Sequence, residues 1–357
     1  MPQVKEKRVQ SPEVAKISTA SAISVGLVFG RMYRKAVNRC VNLLVHYPEG
    51  CAANCAYCGL ARRRPGSYSE KSFIHVAWPV FTMDEIIDAI NQAPAYVQRT
   101  CISMITNGKC RNATIAMTQR LARETSIPIS VLLSPTILKD GDLEAIKEAG
   151  ADKVGIAVDL ATEDLFDRYR GSGVRGPHTW SGYWECIEHS LDVFGPLDVG
   201  AHLMVGMGET EKEITSVMDR LWNMGVASHL FSFFAEENSA LSERPQPDWP
   251  VYLRVQTARY LIEEGLSTFD KMAFDDFGRI CDFGCDNNTL QGAIESGKPF
   301  MTTGCLGPDG RVACNRPFGN CLPGEKQWNY PYPPDEKEMA LIRDAFENCF
   351  DIYSLSC

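Results

Sequence analysis

A β-rich run followed by a loop and a helical stretch recurs six times through the middle of the chain, and this repetition limits the possible folds more than any other feature. The six runs are residues 41–47, 102–105, 127–133, 154–158, 199–205 and 229–234. Helical stretches such as residues 83–91 and 211–224 separate them. Strands that alternate with helices indicate parallel βα units. We therefore predict an α/β fold, a partial TIM-like (β/α)6 barrel. An open doubly wound sheet fits less well, because no Gly-rich dinucleotide fingerprint follows the first strand.

The chain length allows this barrel to carry an extension at each end. A chain of 357 residues with 45% hydrophobic residues can bury a large core. We predict a helical N-terminal extension over residues 1–36 and the barrel over residues 37–245. Residues 246–357 are predicted to form a loop-rich, cysteine-rich C-terminal extension.

Composition excludes several classes of function. The formal net charge of −9 argues against a nucleic-acid surface, which normally carries a basic excess. No apolar run approaches the length of a membrane span. A secretory signal is also missing from the first residues, so we expect a cytoplasmic protein. One basic run, Arg62–Arg64, is either a solvated turn or a docking site for an anionic partner.

Three cysteines, Cys51, Cys55 and Cys58, form a compact C-x3-C-x2-C loop directly after the first predicted strand. Iron-sulfur clusters usually take four cysteine sulfurs, so a three-cysteine loop predicts a cluster with one iron left for another ligand. A zinc site is an alternative, but it would normally show a fourth ligand at short spacing. A disulfide pair is a third interpretation and is less consistent with a chain that lacks an export signal.

A second group of cysteines follows the predicted barrel. It comprises Cys281, Cys285, Cys305, Cys314 and Cys321, in a stretch rich in glycine and proline. Such a stretch supplies little core of its own, so a metal or cluster that holds it in place is the simplest interpretation. Buried free thiols remain an alternative, since cysteine is often simply buried.

The three-cysteine loop, with Tyr57 before its last cysteine, resembles the signature of radical S-adenosylmethionine (radical SAM) enzymes. Residues 153–159 and 203–210 are similar to segments of the biotin synthase and lipoyl synthase branch of that superfamily. The resemblance covers about residues 40 to 240. It implies a 4Fe-4S cluster held by Cys51, Cys55 and Cys58, with SAM bound to the open iron and cleaved to a 5′-deoxyadenosyl radical.

The resemblance also implies where SAM is bound. Asp159 would hold the ribose hydroxyls, although a helix cap is an alternative role. Arg168 or Arg170 would pair with the SAM carboxylate. Further candidates for SAM contacts are Tyr57, Thr106, Asn107, Gly206 and Glu209. The usual Gly-Gly-Glu triplet of the family is replaced here by Thr106-Asn107-Gly108.

The late cysteines resemble those of the two-protein lipoyl synthases, especially the Thr-Gly-Cys and Cys-Asn-Arg-Pro pieces at Cys305 and Cys314. The barrel-bound 2Fe-2S layout of biotin synthase is not evident in the sequence. The resemblance implies an auxiliary 4Fe-4S cluster, with Cys305, Cys314, Cys321, Cys281 and Cys285 as candidate ligands. Ser354, Ser356 or Cys357 could add a ligand from the C-terminus, where a frayed end is the simpler expectation.

The implied reaction is sulfur insertion at an unactivated C–H bond. The radical would take hydrogen from an octanoyl chain on a lipoyl-carrier protein, and the carbon radical would attack a sulfide of the auxiliary cluster. The implied partners are that carrier, a homologous radical SAM protein, and an external ferredoxin- or flavodoxin-type electron donor. Neither nucleic acid nor membrane is expected to bind.

Two other functions remain open. A radical SAM enzyme that rearranges or fragments a small molecule would hold about four irons per chain, whereas a sulfur-inserting enzyme would hold about eight. A non-enzymatic iron-sulfur protein would form no 5′-deoxyadenosine with SAM.

Overall fold

The computed structural model describes residues 9–34 and 36–349, with side chains through residue 347. Its main sheet contains eight strands in the order β3-β1-β2-β4-β5-β6-β7-β8. They are β1 (Val14–Ile17), β2 (Cys40–Val45), β3 (Val80–Thr82), β4 (Arg99–Ser103), β5 (Ile129–Leu133), β6 (Ala151–Asp159), β7 (Val199–Val205) and β8 (Ala227–Ser232). Strands β2 and β4 to β8 are parallel and correspond to the six predicted runs. The α/β fold is confirmed, and the sheet is consistent with a partial TIM-like barrel.

Seven helices accompany the sheet in the described chain up to the end of β8. They are α1 (Thr19–Ser24), α2 (Met83–Asn91), α3 (Cys110–Glu124), α4 (Asp142–Glu148), α5 (Glu163–Tyr169), α6 (Trp180–Phe194) and α7 (Glu211–Asn223). Sequence sets several of their starts: Thr82 and Thr210 each form a capping box with the glutamate three residues later. Among the described residues, none of the helices is long and apolar enough to cross a membrane.

The N-terminal segment differs from the predicted helical extension. Its described part begins with strand β1, which pairs antiparallel with both β2 and β3, and only then forms the short helix α1. Lys16 lies buried in this strand, and its Nζ donates to the carbonyl oxygen of Tyr68 at 2.9 Å. A charged residue in the middle of a four-residue strand hides the strand from pattern analysis.

The C-terminal region also contains more regular structure than predicted. It includes α8 (Trp249–Glu263), a hairpin of β9 (Ala273–Phe274) and β10 (Ile280–Asp282), α9 (Asn287–Glu295) and α10 (Glu336–Cys349). Apolar side chains of α8 and α10, with Phe300 and Tyr330, form a second buried cluster beside the main core. The loop-rich part is the stretch of residues 301–335, which lies between α9 and α10.

The inner face of the sheet lines a central cavity, because side chains alternate along each strand. His202 and Met204 of β7 face the cavity, whereas Ala201 and Leu203 between and beside them belong to the main hydrophobic core. His229 and Phe231 of β8 are the register partners of His202 and Met204 and face the same way.

Candidate active site

The cavity inside the sheet has a volume of about 300 Å³ and is lined by two groups of cysteines. Cys51, Cys55 and Cys58 lie at the carboxyl ends of the strands, where active sites of such barrels are found. Cys101, Cys305 and Cys314 line the same cavity. The structure thus brings the predicted cluster loop and two of the late cysteines into one space.

Backbone hydrogen bonds fix the loop of the first group. The amide of Ala52 donates to the carbonyl oxygen of Thr106 at 2.7 Å, and the amide of Ala56 donates to that of Tyr169 at 2.8 Å. Asn107 contributes as well, because its Nδ2 donates to the carbonyl oxygen of Gly50 at 3.1 Å. Thr106 lines the cavity, whereas Asn107 acts on the loop from outside the lining.

Two thiols of this loop are held in their protonated form by burial. Burial raises the pKa of Cys55 to about 11, although Arg170 opposes the shift. Burial, followed by the neighbouring Cys55 and Cys51, also raises the pKa of Cys58 well above its usual value. A cation that binds here must displace protons, and it then supplies the positive charge that three adjacent thiolates need. Three thiols without a fourth protein ligand fit a 4Fe-4S cluster with one open iron.

Within the described residues, no three His, Cys, Asp or Glu side chains converge as they would around one metal ion. Cluster thiolates bind separate irons, so their sulfur atoms do not have to meet at a single point. The arrangement of the cysteine loop is therefore compatible with a cluster.

Asp159, Tyr57 and Arg170 form a hydrogen-bonded network beside the first thiol group. The Tyr57 hydroxyl donates to Asp159 Oδ2 at 2.6 Å, and Arg170 Nη1 forms an ion pair with the same oxygen. Arg170 Nη2 donates to the Tyr183 hydroxyl at 2.8 Å. Asp159 ends strand β6 with a φ of 66°, a strained conformation for a residue with a side chain. The three predicted SAM contacts thus lie together at the cavity, with Arg170 already paired.

Arg168, the other predicted carboxylate partner, lies outside the cavity lining. Its side chain is 60% exposed and pairs with Asp164 one helical turn away. Helix α5 turns Arg168 toward solvent, whereas Arg170, which caps its end, is buried. Of the two arginines, the structure brings only Arg170 to the site.

Gly206 and Glu209 form a closed turn rather than part of the cavity wall. The Glu209 carboxylate accepts hydrogen bonds from the amides of Gly206 at 2.6 Å and Met207 at 2.9 Å. Gly206 has a φ of 106°, and a Cβ there would lie 2.7 Å from Pro247. Burial raises the pKa of Glu209, although these amides oppose the shift. The turn explains both residues without a ligand, and neither lines the cavity.

The second thiol group gathers cysteines from three parts of the chain. Cys305 and Cys314 are on the loop of residues 301–335, and Cys101 is in β4. Cys40, which begins β2, lies beside Cys314 and outside the cavity lining. The Cys40 and Cys314 thiols are hydrogen-bonded to each other. Burial and then the contact with Cys314 raise the pKa of Cys40, whereas the hydrogen bond from Cys40 lowers the pKa of Cys314. Sequence analysis included Cys305 and Cys314 but missed Cys40 and Cys101.

The other predicted auxiliary ligands lie elsewhere. Cys321 is buried away from the cavity lining, and its Sγ is 3.3 Å from Gln327 Oε1. Cys281 is disulfide-bonded, and Cys285 follows it in the loop before α9. Chain spacing suggested one group of five cysteines, but neither Cys281, which is in β10, nor Cys285 lines the cavity. Ser354, Ser356 and Cys357 lie outside the described residues.

Several basic side chains that were not predicted as site residues also face the cavity. Among them are His202, His229 and Arg316. Burial lowers the pKa of His229 to about 3 and lowers that of His202 as well, so both rings are neutral at pH 7. Strand alternation could have revealed His202, because it alternates with core residues along β7.

Comparison with known proteins agrees with this geometry. The sequence profile of the Radical SAM superfamily matches residues 45–221, which include the three-cysteine loop and Asp159. The chain belongs to the radical SAM superfamily. Members of this superfamily bind a 4Fe-4S cluster and SAM, and the loop from Cys51 to Cys58 is the part of this radical SAM chain that suits the cluster.

Individual relatives are distant. A biotin synthase from Bordetella avium (strain 197N) is 25% identical over 181 residues, which cover 49% of this chain and 50% of that protein. The chain thus aligns with about half the length of this curated relative. The structure of HydG, a maturase of the [FeFe]-hydrogenase, is similar with a TM-score of 0.49 and 14% identity, covering 63% of this chain and 50% of HydG. The radical SAM methyltransferase TsrM from Kitasatospora setae, with cobalamin and a [4Fe-4S] cluster bound, is similar with a TM-score of 0.39 and 12% identity, covering 78% and 49% of the two chains.

Proposed function

We propose that the protein is a radical SAM sulfurtransferase of the lipoyl synthase type, which inserts sulfur into an unactivated C–H bond of a protein-bound octanoyl chain. The observation that carries the proposal is the single cavity lined by two separate groups of thiols. A reaction that joins an aliphatic carbon to sulfur requires the group that activates the carbon and the source of sulfur to face one substrate. An auxiliary 4Fe-4S cluster at the second group would be that source.

When bound, SAM and its cluster supply a primary carbon radical that can take hydrogen from an aliphatic carbon. The chain's own residues would do the rest. The cysteine loop would hold the cluster, and Asp159 with Tyr57 would offer acceptor and donor atoms to the polar parts of SAM. Apolar side chains of the lining, among them Leu44, Leu132 and Phe231, would receive an alkyl chain and exclude water.

The partners of the proposed reaction follow from its chemistry. They are an octanoylated carrier protein, an external ferredoxin- or flavodoxin-type electron donor, and a homologous radical SAM protein that shares the two insertions. Arg62 and Arg63 are exposed beside the cysteine loop and are candidates for docking an anionic partner. Arg64 is less available, because its Nε donates to the carbonyl oxygen of Glu237 at 2.7 Å and its Nη1 to that of Gly59 at 2.8 Å.

A second candidate is sulfur insertion into a free small molecule. It is favoured by the match to a biotin synthase, and it would use the same two thiol groups. The two candidates differ in substrate rather than in the type of reaction. Rearrangement or fragmentation of a small molecule needs no second sulfur source, and the thiol groups favour it less.

The deciding experiment is anaerobic incubation of the cluster-loaded protein with SAM, a reductant and an octanoylated carrier peptide, followed by mass spectrometry. We expect the peptide to gain the mass of one or two sulfur atoms. The Cys305→Ala variant should still form 5′-deoxyadenosine but should yield no thiolated peptide, whereas Cys285→Ala should behave as the unmodified protein. If 5′-deoxyadenosine forms and the peptide mass never changes, with or without the homologous partner, the octanoyl assignment is wrong.

A further inference from the structure

The late loop and the barrel strands contribute two cysteines each to the second thiol group. Cys40 and Cys101 belong to the neighbouring parallel strands β2 and β4, where Asn42 is the register partner of Cys101. Cys305 and Cys314 approach them from the loop of residues 301–335. All four are free thiols. A cysteine alone is more often a buried apolar residue than a ligand, but four that lie near one another and come from three distant segments need a further reason.

Hydrogen bonds of three of the thiols, together with the strand register of Cys101, place the four near one another. Asn42 Nδ2 lies 3.6 Å from Cys40 Sγ and 3.8 Å from Cys314 Sγ, so one amide contacts sulfurs of both the strand and the loop. On the other side, the Cys305 thiol is hydrogen-bonded to Ser130, the register partner of Cys101.

The loop is also held against itself at this point. The amide of Cys314 donates to the carbonyl oxygen of Cys305 at 3.1 Å, so the two loop cysteines are fixed relative to each other. A Cβ at Gly304 would lie 2.4 Å from the carbonyl oxygen of Cys314. The segments around Gly304 and Cys314 therefore approach so closely that only glycine fits at position 304.

Positive charge accompanies the thiols. Arg316 Nη1 is 4.0 Å from Cys314 Sγ, and its guanidinium lies 3.9 Å from the centroid of the Phe231 ring. Its Nε is buried without a hydrogen-bond partner. A buried donor without a partner is costly, and an anionic group in the cavity would satisfy it. Four thiolates around an iron-sulfur core form such a group.

We propose that Cys40, Cys101, Cys305 and Cys314 together hold the second iron-sulfur cluster, with Arg316 offsetting its negative charge. This inference rests on the proposed function only in that a sulfur-inserting enzyme requires a second cluster. Compared with the ligands predicted from the sequence, the proposed set contains the strand cysteines Cys40 and Cys101 and omits Cys321, Cys281 and Cys285. The second cluster is therefore anchored in the barrel wall, beside the substrate, and the late loop closes over it.

The test is the iron and sulfide content of anaerobically reconstituted protein, with Mössbauer and electron paramagnetic resonance spectra. Unmodified protein should hold about eight irons and each of the four Cys→Ala variants about four. Cys321→Ala and Cys285→Ala are the matched controls and should keep about eight. If the variants with about four irons keep the first cluster and still cleave SAM, the iron was lost because a ligand is missing and not because the protein is unfolded.

A second variant isolates the site. Replacing Cys51, Cys55 and Cys58 by alanine should leave about four irons and the spectrum of the second cluster alone, and adding Cys101→Ala should remove them. In this background Arg316→Gln should keep the irons but make the midpoint potential of the cluster more negative, because a nearby cation favours the reduced form. Full iron content in Cys40→Ala and Cys101→Ala, or iron loss in Cys321→Ala, would overturn the assignment.

Iron content also separates this inference from the proposed function. If the carrier peptide is never thiolated but iron loss follows the four cysteines, the ligand assignment holds and the function is wrong. If the peptide is thiolated and Cys40→Ala and Cys101→Ala retain all iron and full activity, the function holds and the ligand assignment is wrong.

Discussion

Cys55 shows how the ionisation of one buried thiol depends on a bound cluster. It is buried, and its thiol has a pKa raised to about 11, so a bare thiolate is not stable there. We expect Cys55→Ala to abolish 5′-deoxyadenosine formation, because two remaining thiolates cannot hold the cluster. Cys110→Ala is a matched control, since Cys110 is also a buried free thiol but lies outside the cavity lining. Unchanged SAM cleavage in Cys55→Ala would refute the role of this loop.

Arg170 and Arg168 offer a second residue-scale comparison. The side chain of Arg170 is 10% exposed and pairs with Asp159, whereas Arg168 is 60% exposed and pairs with Asp164. Removing one partner of a buried pair leaves an uncompensated charge, so Arg170→Met should lower the free energy of unfolding by about 3–5 kcal/mol. Arg168→Met should change it by less than about 1 kcal/mol. Urea unfolding of the cluster-free, reduced protein measures both, and equal effects would contradict this account of the network.

These residues also show the limit of sequence reasoning. A motif gives Cys51, Cys55 and Cys58 directly, because all three are local in the chain. Cys40 and Cys101 carry no such signal, since a lone cysteine in a strand resembles any buried residue. Cys40 and Cys101 come close to Cys314 only when the C-terminal loop packs against the barrel.

Strands show the same contrast at the scale of elements. The six parallel strands could be predicted because buried parallel strands are continuous apolar runs. Strands β1 and β3 could not, as they contain four and three residues and depend on pairing between β3 and β1 and between β1 and β2. The helical N-terminal segment that we predicted contains α1, but the prediction missed the strand β1 that precedes it.

The loop after the first cluster motif makes an element-scale prediction. A Cβ at Gly59 would lie 2.3 Å from the carbonyl oxygen of Ser72 and 3.0 Å from the Glu236 carboxyl carbon. Gly59→Ala should therefore push the segment containing Ser72 away from the cysteine loop and lower iron content and SAM cleavage together. Gly108→Ala is the control, because a Cβ there meets nothing within 4 Å. Full iron loading of Gly59→Ala would show that this contact is not required.

Folding stability, a property of the whole molecule, should depend on pH through His178. Burial and then Arg170 lower its pKa to about 3, and its Nδ1 is 2.6 Å from Thr136 Oγ1. In the unfolded chain His178 takes up a proton near pH 6.5, whereas in the folded protein it stays neutral down to about pH 3. Stability from this residue is therefore complete above about pH 6.5 and falls with decreasing pH, by about 1.4 kcal/mol per unit.

The variant His178→Gln should reduce this slope when unfolding of the cluster-free protein is measured between pH 7 and pH 5. His189→Gln is the matched control, because His189 is about half exposed and pairs with Glu144 on the surface. Identical slopes for His178→Gln and the unmodified protein would contradict a neutral, buried His178.

The wide separation of the second group of thiols along the chain has a consequence for how the protein is made. Cys51 to Cys58 lie within eight residues of one another, so the three thiols of the first group are translated together. The second group stays incomplete until Cys314 has been translated, long after Cys40. If both groups hold the proposed clusters, the two sites would be filled in order: the first could be loaded before the late loop is translated, and the second only afterwards.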